Sequence, residues 1–421
     1  MVICLSIPSL IQITKLVKSY YRYISILLWI ILGIALVLLQ CRTALIGTAI
    51  IVCVYLFGIN TGNNWTKLKY FKGISIAILI LLVAGVFILH QQKQASADGR
   101  LTIWKVSSEM IAKKPLTGYG YGLFQKEYNL QQADYFNKEL RPEKERMNAG
   151  YTGMAYNEYL EHTVMGGIPG GLLFLSVILT LLWAGWKNRN TTLAPFAGIA
   201  AFAVMNLFNF TIESPMVLFS FTVYASVLLE LNTENGTNKI FIFPKRVAFI
   251  CTFIGIAFVV FSMQKYNAQK ELKVAKQMLE NGEIKAAGVI LDEIEPDIST
   301  SEAYYRTKAN YYLYNNDYEK ALASTVHALN YASYPSLILN AAEFSKKLGK
   351  SDDVESYCKI ASGIEPHLFR PRIMLMEMYI RTGQKQKAKI IANDILAMKP
   401  KINSEKVTEY KKAAKMVNDK L

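Results

Sequence analysis

Histidine, charge and patterned cysteine are all scarce in this 421-residue chain. Its four histidines, His90, His162, His327 and His367, are too scattered to suggest a metal cage. Five cysteines occur, and Cys4, Cys41, Cys53, Cys251 and Cys358 include no Cys-x-x-Cys pair. Three of them, Cys41, Cys53 and Cys251, fall within or beside apolar runs, so no disulfide framework can be read. Charged residues make up 19% of the chain against 52% hydrophobic, a poor composition for a purely soluble globular protein. Residues 1–14 lack both a basic start and a small-residue cleavage site, so targeting falls to apolar spans further along. The net charge of +15 does not indicate nucleic acid, because the basic residues border apolar runs or are dispersed through the tail, with no basic-aromatic surface motif.

What is present is a series of apolar runs, concentrated before residue 263. Seven stretches qualify as membrane-spanning helices, all near the short end of the range: residues 23–39, 44–59, 73–89, 166–186, 193–210, 215–231 and 247–263. Residues 2–13 are apolar but short and contain Pro8, and are left out as a partial span or interfacial helix. Lys and Arg then alternate between successive connections. Lys15, Lys18 and Arg22 precede the first run, Lys67, Lys69 and Lys72 follow the second, Lys187 and Arg189 the fourth, and Lys239, Lys245 and Arg246 precede the seventh. The intervening connections hold Arg42 in one case and Glu213 in the other, so the basic ones are expected on the cytoplasmic side. The long segment 99–171 and everything after residue 263 then lie outside.

The tail reads as a repeat. Gly282, Asn316, Lys350 and Gln384 sit at or beside turns at an interval of 34 residues, and Gly349 to Gly383 and Pro366 to Pro400 keep the same step. That period, with Ala286, Ala287, Ala321 and Ala388 in the second helices, fits a tetratricopeptide-type solenoid, in which stacked helix pairs bury what one pair cannot. Residues 303–332 form the clearest unit, with Tyr304, Tyr311, Tyr312, Tyr318, Ala321 and Ala328 facing inward, and residues 404–420 read as a capping helix. The expected architecture is all-α: a polytopic transmembrane helical bundle of about seven spans, residues 23–263, followed by a soluble repeat domain, residues 264–421, with residues 1–22 as an N-terminal segment.

The polar segment between the third and fourth runs, with an external loop set at 91–165, is too long for an ordinary connection and too rich in Trp, Tyr and Phe for disorder. Its front carries Gly99-Arg100-Leu101-Thr102-Ile103-Trp104 and Pro115-Leu116-Thr117-Gly118-Tyr119-Gly120; its back carries Asn157-Glu158-Tyr159-Leu160 and Gly167-Ile168-Pro169-Gly170. The glycines 118, 120 and 122 lack the strand and helix of a dinucleotide fold and are read as a flexible turn. Asn64-Trp65-Thr66 fits a glycosylation sequon but falls on the cytoplasmic side and is given no role.

Together with Arg42 in Gln40-Cys41-Arg42-Thr43-Ala44-Leu45, these motifs resemble the O-antigen ligase family over roughly residues 23–231. The resemblance implies a polytopic inner-membrane enzyme that moves a glycan from an undecaprenyl diphosphate carrier to an acceptor glycan or lipid on the periplasmic side, using no metal and no cofactor. Polymerase or protein-ligase activity on the same carrier, and a non-catalytic scaffold recruiting a protein partner through the repeats, are the alternatives. A transporter is disfavoured because the spans lack paired acidic residues.

Physical argument supports the two arginines independently. A charge at a membrane edge is costly and functional by default, and a guanidinium fork binds phosphate oxygens bidentately. Arg42 and Arg100 are therefore expected to hold the diphosphate, with Trp104, Asn157 and His162 binding substrate. In the family a histidine stands immediately before the Asn of the last motif; here that place is Tyr156, a poor base near pH 7. Glu158 is the preferred substitute, ahead of Glu161 and His162. Relatives also carry more spans before the arginine turn, so the resemblance implies a missing front half, through a short gene, a wrong start site or a partner chain that supplies it.

Overall fold

The computed structural model describes residues 1–16, 22–58, 65–92, 94–234 and 245–420, and among them every regular element is a helix. In chain order these are α1 (Val2–Leu16), α2 (Arg22–Leu38), α3 (Arg42–Gly58), α4 (Trp65–Gln92), α5 (Gln94–Lys113), α6 (Phe124–Lys138), α7 (Glu143–Asn148), α8 (Glu158–Lys187), α9 (Arg189–Met205) and α10 (Pro215–Glu234). They continue with α11 (Lys245–Glu280), α12 (Ile284–Ile298), α13 (Glu302–Tyr314), α14 (Tyr318–Leu329), α15 (Pro335–Lys347), α16 (Ser351–Ile364), α17 (Arg370–Arg381), α18 (Lys385–Ala397) and α19 (Glu405–Lys420). The all-α expectation holds. Lys18, Lys239 and the sequon asparagine Asn64 lie outside the described residues.

The chain forms two compact units. One comprises Met1–Tyr121 with Met154–Phe241; the other comprises Gly122–Gly153 with Ile242–Leu421. This grouping differs from the sequence expectation, which kept all of 91–165 with the apolar half. The segment 99–171 is also not a loop: α5, α6, α7 and the first turns of α8 occupy most of it.

In the first unit α3 and α9 form the centre. Ala44 and Ile51 of α3 and Ile199, Phe202 and Met205 of α9 are buried there together with Cys4, Leu5 and Ile7 of α1. α1 therefore packs into the core of this unit through Cys4, Leu5 and Ile7, while Val2 and Ile13 are exposed. The outer faces of α2, α4 and α10 do the opposite. Leu27, Ile31, Ile80, Leu81, Phe219 and Leu229 are all exposed, a surface suited to lipid. Among the described residues one helix, α8, is by length and composition long and apolar enough to cross a membrane, with 30 residues and a mean hydropathy of 2.0 over its best window. Others are shorter; the 17 residues of α3 reach about 25 Å, less than a hydrocarbon core.

The second unit is a stack in which each helix from α11 to α19 packs against the next. Large apolar residues of α11 from Phe249 to Met263 are exposed, whereas Ala268, Leu272, Ala275 and Leu279 further along the same helix are buried in the stack. Left-handed backbone recurs at Gly282, Asn316, Gly349 and Gly383, with φ of 86°, 57°, 75° and 72°. A helix that must stop and reverse ends readily in this conformation, which glycine adopts without a Cβ clash and asparagine tolerates. Five residues after each turn stands a fully buried small side chain: Ala287, Ala321, Val354 and Ala388. The period is thus a packing period as well as a turn period.

Helix α6 completes this unit by lying against α16. Ala133 joins the cluster of Ile338, Val354, Cys358, Ala361 and Tyr379. Gln132, 1% exposed, donates to the Ile364 carbonyl at 2.7 Å and to the Gly150 carbonyl at 3.0 Å. Asn137 donates to the Lys359 carbonyl at 3.0 Å, and Ser333 to the Lys126 carbonyl at 2.7 Å. A Cβ on Gly363 would come within 2.6 Å of the Ala133 backbone, so the two helices touch through glycine. Gly363→Ala is expected to cost about 1–3 kcal/mol through overpacking, read as a lower melting temperature of the purified full chain, whereas Gly255→Ala, with open space around its Cβ position, should melt as the parent does.

Candidate anion-binding cleft

The site is built on a break in helix α8. Gly167 has φ 67° and ψ −175°, so the backbone leaves the helix there and orphans nearby polar groups. The Pro115–Gly120 turn takes them up. Tyr119 N–H donates to the Val164 carbonyl at 3.0 Å, Gly120 N–H to the Met165 carbonyl at 2.9 Å, and Ile168 N–H to the Pro115 carbonyl at 2.7 Å. Gly118 (φ 62°) faces Gly167 so closely that a Cβ on the former would strike the Met165 carbonyl, and one on the latter would lie 2.5 Å from the Leu116 carbonyl oxygen. Two of the recognised motifs are therefore one structural joint, and the glycine run read as a flexible turn is a fixed one.

That joint brings the end of α5 beside the start of α8. On α5, Ala97, Arg100, Leu101 and Trp104 follow helical spacing and share a face. With Arg42, Thr43 and Ile46 of α3, Val86 of α4 and Phe208 beyond α9, this face lines a cleft of about 310 Å³. Three predicted site residues, Arg42, Arg100 and Trp104, thus meet in one place.

Arg100 is oriented from two sides. Its Nη1 donates to the Phe208 carbonyl at 2.6 Å, and its guanidinium lies 4.9 Å from the centre of the Tyr156 ring. Burial first, and then the nearby Arg42 guanidinium, push the Arg100 pKa below its ordinary value. Among the described residues, neither guanidinium is paired with a carboxylate. Arg42 opens helix α3, where the helix dipole already favours an anion over a cation. Two guanidinium groups, one at a helix N-terminus and one half-buried, leave the cleft short of negative charge, and a phosphate or diphosphate would supply it.

Tyr156 owes its position to a clamp. Trp104 Nε1 donates to the Ala155 carbonyl at 3.0 Å, while the Glu161 carboxylate accepts from Ala155 N–H at 2.8 Å. The next residue, Tyr156, is held at φ 54°, a left-handed conformation costly for a bulky side chain. Its ring also meets Phe210 edge-on at 5.9 Å. Tyr156 here offers the face of an aromatic ring to a cation.

The remaining predicted residues are placed elsewhere. Asn157 caps α8, its side chain accepting from Leu160 N–H at 3.1 Å. Glu158 is 5% exposed, accepts from Ile212 N–H at 2.8 Å, and its own N–H donates to the Asn206 carbonyl at 2.9 Å. It fastens the turn that carries Phe208 and does not line the cleft. His162 stacks on Phe174 at 4.3 Å with Nδ1 3.3 Å from the Tyr121 hydroxyl, also outside the cleft lining. Glu161, weighed as a substitute base, instead accepts from Ala155 N–H, and Phe208 was missed as a contributor. Nothing in the sequence marked its carbonyl.

These features define a helical protein with lipid-suited faces and an arginine-lined cleft at a broken helix. Residues 26–175, which include every predicted site residue, match the family described as O-antigen ligase; the match stops short of the expected residue 231. It supports an O-antigen ligase-type glycosyltransferase role, a glycan substrate and a membrane setting. No curated protein and no solved structure matches the chain.

Trp104→Phe removes one donor from the Ala155 clamp and is expected to cost about 1 kcal/mol of stability, measured by thermal melting in detergent. Gly118→Ala should cost more, because left-handed backbone and a backbone clash combine there; a melt equal to that of the parent would show that the joint is not formed.

Proposed function

We propose that the chain transfers a glycan from an undecaprenyl diphosphate carrier to an acceptor glycan or lipid at the periplasmic face of the inner membrane. The convergence of Arg42 and Arg100 on one cleft carries this reading. As the glycosyl bond to the diphosphate breaks, negative charge grows on the leaving oxygens, and fixed guanidinium donors that strengthen with it lower the barrier, by about 3 kcal/mol for a well-placed donor. The apolar walls Ile46, Val86, Leu101 and Phe208 lower the local dielectric and raise the worth of each charge. Tyr156 keeps the Arg100 fork aimed, and its hydroxyl is available to orient a sugar; Asn157, Glu158 and His162 hold the surrounding backbone and aromatic packing. The same geometry serves a polymerase using this carrier, since only the acceptor differs. About seven spans and a tetratricopeptide-type repeat domain complete the proposed architecture.

Arg42→Lys and Arg100→Lys should each reduce transfer by tenfold or more, because lysine keeps the charge and loses the planar fork. Tyr156→Phe should matter less, since the ring face remains. The measurement is glycan transfer in membranes with expression matched by blot. Full activity of the Arg42→Ala, Arg100→Ala double variant would end this proposal and leave the scaffold reading.

The proposed topology has its own test. Leu140 and Ile402 are 91% and 79% exposed, and as cysteines both should react with a membrane-impermeant thiol reagent in cells whose outer membrane alone is permeabilised. Protection of either would reverse the assignment of sides.

A further inference from the structure

The second unit holds a cavity of about 400 Å³, and the lining belongs to that unit alone. One wall is the α6–α7 connection with α7, from Leu140 to Met147; the other is the α16–α17 connection at Pro366 and His367 with the end of α18, from Asp394 to Lys399. Met147, Pro366 and Met398 make part of it apolar. Its charges are paired off with one exception. Lys399 Nζ lies 2.9 Å from Glu143, Asp394 accepts from Arg372 Nε at 2.6 Å, and Arg141 Nη1 lies 3.0 Å from Glu139. Arg146 is partly buried and has no side-chain partner among the described residues. The imidazole in the same wall adds no charge of its own. Burial first, then Lys401 and Arg372, push the His367 pKa down to about 4, although Glu365 lies 4.0 Å from its Nε2.

We infer that this cavity binds an acidic sugar, with the Arg146 fork receiving its carboxylate. One free guanidinium calls for one anion, and a carboxylate matches its parallel N–H groups. Glu143 and Asp394 limit the charge that can enter: a phosphate monoester or an acidic peptide would bring further negative charge against them, whereas a single carboxylate does not. Hydroxyl groups suit walls whose paired charges can still accept and donate, and the C–H face of a sugar suits Met147 and Pro366. The volume lies at the lower end of small-molecule pockets and has room for roughly one or two sugar rings. The inference rests on the glycan substrate proposed above and not on the chemistry assigned to Arg42 and Arg100. A hold on one sugar of a long glycan adds avidity to any contact the glycan makes elsewhere.

The test is calorimetric titration of the full chain in detergent with a glucuronate–glucose disaccharide, run beside cellobiose, a glucose phosphate ester and a tri-aspartate peptide. The acidic disaccharide is expected to bind about tenfold or more tighter than cellobiose, and Arg146→Ala to erase that preference. Because Arg146 has no side-chain partner, the variant should melt as the parent does. The Arg42→Ala, Arg100→Ala variant should bind the disaccharide as the parent does, even where the parent shows no transfer, so the transferase reading and the cavity assignment fail separately. Absence of binding at millimolar sugar, equal affinity for cellobiose, or a preference that survives Arg146→Ala would overturn the inference. Tighter binding of the phosphate ester or of the peptide, removed by Arg146→Ala, would overturn the assignment to a sugar carboxylate.

Discussion

The whole first unit depends on one broken helix. A helix that stops hydrogen-bonding to itself leaves backbone polar groups that must find other partners. In α8 the break at Gly167 is closed by three backbone hydrogen bonds from the Pro115–Gly120 turn. The partners can approach only because Gly118 and Gly167 lack side chains. Once that joint is made, α5 is carried to the start of α8, and Trp104 reaches the Ala155 carbonyl. Arg100, one turn earlier on the same face, then enters the cleft. A requirement of backbone chemistry thus sets the position of the charges.

How much of this was legible follows from where the information sits. Helix type and the existence of most apolar elements were readable from apolar runs, since burial in either protein or lipid selects for them. The repeat was readable because each unit must solve the same turn problem, and glycine or asparagine solves it at Gly282, Asn316, Gly349 and Gly383. Val354 escaped notice because packing at that position asks only for a small apolar side chain, and alanine was the residue sought. The cleft was partly legible: arginine in an apolar setting stands out, and so does tryptophan one turn away. Backbone N–H donors and carbonyl acceptors carry no sequence signature, so the roles of Phe208 and of the Ala155 peptide could not be read.

Glu158 shows the same limit from another side. As a residue type it is suited to proton transfer, and its place beside Tyr156 in sequence favours that role. The fold uses it differently. At the first turn of α8 its carboxylate is turned inward to accept from Ile212, so that the chain after α9 is tied to the chain before α8. Proximity along a sequence is weak evidence for proximity to chemistry when a helix begins between the residues compared. Tyr156, by contrast, reaches Arg100 because it lies outside the helix, in a conformation that the helix would forbid.

The division of the second unit between Gly122–Gly153 and Ile242–Leu421 has a consequence for biosynthesis. Gln132 and its partner Ile364 are separated by 232 residues, and the helices α8, α9 and α10 are made in between. Helix α6 therefore leaves the ribosome long before the surface that receives it exists. Its buried amides must stay hydrated during that interval, and docking waits until α16 has been made and folded. Closure of so long a loop is slow compared with local helix formation. For this chain the docking of α6 is a late step, and a nascent protein stopped before α16 would have α6 still undocked.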